Sequence, residues 1–133
     1  MKGLLALSAF LFLFSLQPAF AGNAEPSYVD LVDAPTITVD WSKGDTQAVA
    51  LGGDRTLVFK NGQKGGRYTL ILKQDATGSR KVVWPESVRW PGGPPQTGGV
   101  PANVLTTTAN RKDFLTFLYD GVSYDVLEIS QNY

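Results

Sequence analysis

A chain of 133 residues carries twelve basic and twelve acidic side chains, and it has neither histidine nor cysteine. That balance offers no basic patch for DNA, RNA or an anionic membrane, and the missing residue types remove the usual proton shuttle, the thiol nucleophile, disulfides and most zinc and copper sites. The length suits one β-sandwich-sized domain with one modest core.

The chain opens with Lys2, an apolar run from Leu4 to Leu16 that is too short to span a bilayer, and Ala19-Phe20-Ala21. A positive start, an apolar stretch and an A-x-A site together predict a secretory signal peptide over residues 1–21, with the mature chain beginning at Gly22. No cysteine follows the site, which excludes a lipoprotein anchor. Loss of Lys2 leaves the mature chain with a net charge near minus one, and no further segment calls for membrane insertion. The protein is therefore expected to be exported, to the periplasm, the cell surface or the medium. Residues 22–35 are polar and broken by Pro26 and Pro35. They read as a leader that docks on the domain or on a neighbour.

From Thr36 to the end, short β-rich runs recur: 36–41, 46–51, 55–60, 68–74, 81–84, 114–119 and 122–130. Gly52-Gly53, Asn61-Gly62, Asp75 to Gly78 and Asp120-Gly121 separate several of them with residues that tolerate positive φ. No run has a helical period. The expected fold is all-β, a single antiparallel, jelly-roll-like β-sandwich over residues 36–133. Between Pro91 and Thr108, prolines and glycines leave few consecutive residues able to join a ladder, which predicts a long ordered loop with a contact-forming role.

Alternation places Leu127 and Ile129 inward and Glu128 and Ser130 outward. In Phe114 to Tyr119 both faces are apolar: Phe114 and Leu118 share one, and Leu115, Phe117 and Tyr119 share the other. Leu70, Ile71 and Leu72 repeat the conflict. A sandwich buries one face of each strand, so the second face calls for cover by the loop, the leader or another subunit. Leu115, Phe117, Tyr119 and Ile71 are accordingly candidate oligomer-interface residues. A cysteine-free exported domain gains from association, since a small fold has limited burial of its own.

No catalytic constellation stands out. Serines lack a histidine base, no glycine-rich loop opens a helix for phosphate, and no cofactor is expected. Three glutamates, Glu25, Glu86 and Glu128, leave paired-carboxylate chemistry as a minor possibility. Asp54, Asp75 and Asp120 would hold calcium only if their loops converged; their settings read better as turn formers, and no metal site is expected.

Aromatic residues are the stronger candidates. Trp84 and Trp90 flank Pro85 to Arg89, and an indole face stacks on a sugar ring while Arg89, Glu86, Gln74 or Asp75 could take its hydroxyls. Trp84, directly after Val82-Val83, reads first as a packed residue, whereas Trp90 suits packing and ligand contact equally. The candidate ligand-binding set is Trp90, Arg89, Glu86 and Trp84.

The segment from Gly66 to Pro95, with Tyr68 to Gln74, the turn Asp75-Ala76-Thr77-Gly78 and two Trp-Pro pairs, resembles the small all-β domain at the distal end of bacteriophage tail fibres and related virion proteins. The closing set Asp113, Phe117, Asp120, Gly121 and Tyr124 extends the resemblance, which covers roughly Thr36 to Tyr133. Similar domains cap trimeric bacterial surface fibres. The resemblance implies a homotrimeric β-sandwich that recognises a receptor, often a surface glycan. It also implies that the matched positions define the fold, because receptor contacts in that family vary with the loops. Members of that family typically end a long fibre, whereas here the expected signal peptide and a brief leader stand directly before the domain. The leading expectation is an exported adhesive module that binds a glycan or another cell-surface ligand, and the alternative is a structural subunit of an extracellular or envelope assembly.

Overall fold

The computed structural model describes residues 27–91 and 105–133. The signal-peptide reading, residues 22–26 of the leader and most of the Pro91 to Thr108 loop lie outside the described residues. No helix occurs among those described. Nine strands run in chain order: β1 (Tyr28–Asp30), β2 (Thr36–Asp40), β3 (Thr46–Leu51), β4 (Arg55–Lys60), β5 (Arg67–Gln74), β6 (Val82–Val83), β7 (Val88–Arg89), β8 (Lys112–Tyr119) and β9 (Tyr124–Ser130).

These strands form a six-stranded sheet in the order β1-β3-β5-β8-β9-β7 and a three-stranded sheet in the order β2-β4-β6. The path departs from the antiparallel pairing expected from sequence. From β1 to β6 each strand lies in the sheet opposite its predecessor, and β1-β3, β3-β5, β2-β4 and β4-β6 all pair parallel. The first two-thirds of the domain is thus wound as a flattened coil. Successive strands are joined across the core rather than by hairpins, so neighbours within a sheet inherit the same direction. Antiparallel pairing is confined to β5-β8 and β8-β9, while β7 adds parallel to β9. β1 forms from the expected leader and supplies the first strand of the large sheet.

Alternation decides what each strand buries. On β5, Tyr68, Leu70, Leu72 and Gln74 point inward, and on β8 Asp113, Leu115 and Phe117 do the same. Ile37 and Val39 of β2, Leu57 of β4 and Val82 of β6 meet them from the small sheet. One shared core therefore lies between the two sheets. At one end it is aromatic: Phe59 stands edge-on to Trp41, Phe117 and Tyr124 at centroid distances of 5.4, 5.4 and 5.1 Å, and Trp41 stacks on Tyr68 at 4.7 Å.

Two sequence expectations change here. Leu115 and Phe117 have no exposed surface in the single chain, so they are core residues rather than subunit contacts; the small sheet gives their apolar face its cover. Leu127 is 46% exposed, because the β8-β9 register shifts between Thr116 and Phe117, which leaves Leu127 as the extra residue between paired Val126 and Glu128. A bulge of that kind breaks the period-two rule for one step.

Turn chemistry matches the sequence more closely. The Asp120 carboxylate accepts the N–H groups of Val122 and Ser123, both at 2.7 Å, and Gly121 takes a φ of 99° that favours glycine. Gln74, buried at the end of β5, accepts from the Arg80 N–H through Oε1 and donates to the Arg80 carbonyl through Nε2, bracketing the following turn. Gly78, with φ of 73°, would place a Cβ 2.6 Å from the Thr107 carbonyl oxygen, so this turn can receive the 105–111 segment only with glycine there.

Trp84 and Phe117 sit in the shared core, and removing either ring leaves a cavity that neither sheet can close. Trp84→Ala and Phe117→Ala are each expected to cost about 3 to 5 kcal/mol. Urea unfolding followed by tryptophan and far-ultraviolet signals measures the loss.

Candidate functional site

The four residues singled out from sequence gather at one corner, where the chain leaves β6 and crosses to β7. The Val88 N–H donates to the Pro85 carbonyl at 3.0 Å, which tightens that crossing. Trp84 is buried and Trp90 half-buried, with their rings edge to face at 5.2 Å and an interplanar angle of 81°. Arg89 and Glu86 are exposed. The two indoles thus pack on each other, and Trp84 also meets Phe59 and Phe117. Gln74 and Asp75 are engaged by the turn and do not join them. The Trp84 Nε1 is buried and has no acceptor among the described residues.

A second arrangement, not foreseen from sequence, occupies the outer face of the large sheet. There β5 and β8 place Thr69 beside Thr116, Ile71 beside Phe114 and Lys73 beside Lys112, and β9 continues the rows with Glu128 and Ser130. Alternation forces this: residues between the inward Tyr68, Leu70 and Leu72 must face away from the core. The C-terminal residues then build a wall. Lys112 and Tyr133 exchange backbone hydrogen bonds at 3.0 and 3.1 Å, and Asn132 adopts a φ of 70° that turns the tail onto β8.

Buried Asp113 secures that tail from the inner side. One carboxylate oxygen accepts the Asn132 N–H at 3.1 Å and the other the Thr106 N–H at 2.5 Å, so a single side chain ties the end of the long loop and the C-terminus to β8. Tyr133 consequently stands edge-on to Phe114 at 5.3 Å, and the Lys112 ammonium lies 5.3 Å from the Phe114 centroid, a cation over an aromatic face.

These side chains enclose an open groove of about 380 Å³ lined by Thr69, Lys112, Phe114, Thr116, Glu128, Ser130 and Tyr133. A second groove of about 390 Å³, with Tyr28, Asp30, Ala48, Ile71 and Lys73 in its lining, shares Lys112 with the first. Ser130 donates to Glu128 at 3.0 Å, which orients that carboxylate along the groove wall. Rings, hydroxyls, an ammonium and a carboxylate in one concave surface are groups that bind a polar ligand with an apolar face. Glu128 is the one acidic side chain in the lining of the first groove.

Of the expected interface residues, Ile71 lies on this outer face, half-buried. Tyr119 stacks on Tyr124 at 4.3 Å and donates to the Gly121 carbonyl, so it braces the β8-β9 turn. The signal for the groove was the conflict in β8 and β5, two apolar faces on one strand. The cover that the sequence requires falls on the inner face, and the outer face is the concave one.

The aspartates considered for calcium act locally. Asp75 accepts from Thr77, Gly78 and Arg80, Asp54 accepts the Lys81 N–H, and Asp120 serves the hairpin turn. Among the described residues no three metal-ligating side chains gather. Asp33 forms a two-pronged pair with Arg55, at 2.7 Å in both prongs.

No family model matches the chain, and neither a curated protein nor a solved structure matches it.

The Arg80 guanidinium, with the Gly78 and Thr77 N–H groups, holds the Asp75 carboxyl down at about 2 from an ordinary 3.8. A depressed carboxyl stabilises the folded state fully above its unfolded value, and this contribution disappears as pH falls through the folded value. Asp75 is therefore expected to make its full, pH-independent contribution to the melting temperature above pH 4 and to lose it between pH 4 and 2. In Asp75→Asn the acid limb is expected to be shallower, measured by thermal melts across pH 2 to 7.

Proposed function

We propose that this is an exported, non-catalytic recognition domain that binds a surface glycan or another cell-surface molecule. The observation that carries the reading is the outer-face groove, in which the Phe114 and Tyr133 rings stand beside Thr69, Thr116 and Ser130. Aromatic carbon matches the apolar face of a sugar ring, and hydroxyls in fixed rows match its hydroxyl groups. The sequence resemblance to fibre-tip domains supports the same reading and adds cell-surface receptors as the ligand class. The Trp84 to Trp90 corner remains a secondary ligand surface in this proposal, through the exposed parts of Trp90, Arg89 and Glu86.

Assembly as a homotrimer belongs to the proposal through the resemblance. With Leu115 and Phe117 taken up by the core, the copies are proposed to meet through the outer face of the small sheet, where Val58 is 40% and Val83 59% exposed. Across the small sheet Val58 pairs with Thr38, and Val83 pairs with Thr56, which in turn pairs with Thr36. These valines also favour the second reading, a structural subunit of an envelope or extracellular assembly that binds no ligand, since exposed apolar surface marks contacts between proteins.

A glycan array separates the two readings: the recognition reading expects a saturable hit, and silence across diverse sugars leaves the structural subunit. On a hit, Tyr133→Ala is expected to weaken binding about 5- to 100-fold, the range of a contact aromatic, with the melting temperature held.

For assembly, light scattering at micromolar concentration is expected to give three times the chain mass. Val83→Lys, which puts a charge on the proposed contact, is expected to return the monomer with its fold intact. A monomeric parent protein would overturn the trimer.

A further inference from the structure

The two grooves on the large sheet adjoin at Lys112, and, taken together as one trough, their charge layout selects a ligand class more narrowly. Lys112 belongs to both, so the lining continues from Tyr28 on β1 across β3, β5 and β8 to Ser130 on β9. Five strands at a spacing of about 4.8 Å make a run of roughly 19 Å across the strand direction. The floor is the row Ala48, Ile71, Phe114, and beside it on one bank stand Thr69 and Thr116. The opposite bank is different. Lys73 and Lys112 are direct cross-strand partners, and neither forms an ion pair with the described residues.

Like charges placed directly opposite one another destabilise a strand pair. Here the two lysines come from β5 and β8, in the middle of the trough's five strands, and the side-chain acids in its lining, Asp30 and Glu128, come from β1 and β9 at its ends. Building on the recognition reading above, we infer that the trough takes a linear anionic oligosaccharide laid across the strands. Its sugar faces rest on Ile71 and Phe114, its hydroxyls meet the threonine bank, and its acidic groups sit at Lys73 and Lys112. Both grooves are open, so the chain can enter and leave at either end. A compact monosaccharide would fill one groove and leave the second lysine without a partner.

The test titrates an oligogalacturonate and a neutral cello-oligosaccharide of equal length into the exported protein by calorimetry, at low and at physiological salt. The inference expects the uronate to bind at least tenfold tighter than the neutral chain and to weaken with salt, as an ion-driven contact does. It expects Lys73→Gln with Lys112→Gln to remove that preference at a melting temperature no lower than the parent's, with arginine at both positions restoring it. Lys60→Gln, on the far sheet, is the control that changes charge and leaves binding alone.

Equal affinity for the two sugars, indifferent to both lysines, overturns the anionic inference and leaves glycan recognition standing. Failure of the uronate beside a Tyr133-dependent array hit overturns it in the same way. If neither sugar binds and self-association depends on Lys73 and Lys112, the trough is a contact between copies, and the inference falls together with the recognition reading.

Discussion

Phe59 is the pivot of this domain. It comes from the small sheet, yet its edge contacts reach Phe117 and Tyr124 on the large sheet as well as Trp41 and Trp84, which follow β2 and β6. A three-stranded sheet ending in the two-residue strand β6 has little hydrogen bonding to hold it in place. Its attachment comes from apolar burial and from edge-to-face ring contacts, each worth about 0.5 to 1.5 kcal/mol beyond area. Once Phe59 and its neighbours fix how far apart the sheets lie, the inward positions of β5 and β8 are fully used. The residues between them have nowhere to go but the outer face.

That division makes one side of the large sheet structural and the other available for chemistry. Most polar members of the inner face are put to use, although Gln47 Oε1 and the Trp41 and Trp84 indole nitrogens find no partner among the described residues. Gln47 donates to the carbonyls of Asp40 and Gly44, Gln74 closes the next turn, and Asp113 gathers two loose ends. Each of these buried groups is used to shape a connection, as buried polar groups in folded proteins generally are. Asp113 has reach in both directions: its carboxylate points into the core, while the tail it holds places Tyr133 on the opposite face. Position of the exposed ring is thus set from inside the protein.

Much of the local structure was legible in the sequence. Strand runs over 46–51 and 55–60 coincide with β3 and β4, since alternation and flanking turn residues are local signals. Asp120-Gly121 and the Asp75 turn were readable for the same reason. What could not be read was which strand each run would pair with, because parallel pairing between β1 and β3 or β2 and β4 leaves no turn signature between partners. Assuming hairpins gave the wrong direction for most pairings. The same gap hid the trough: Lys73 and Lys112 are far apart in sequence and become neighbours only through the β5-β8 register. Trp84 and Trp90 were legible as a pair, but periodicity does not reveal that one ring would stand on the other.

The wound path also constrains the order of events when the chain folds. Among the described residues only β8 and β9 are consecutive strands that pair directly across a tight turn, so the cheap loop closure comes after the wound part of the domain. Every parallel pairing before it requires the chain to travel to the opposite sheet and return, which raises contact order and slows folding. During synthesis the strands that emerge first are therefore those whose neighbours arrive late, while the hairpin best suited to nucleate the large sheet follows β1 to β7. A chain built in this way defers its cheapest loop closure until the strands of both sheets that precede it have been made.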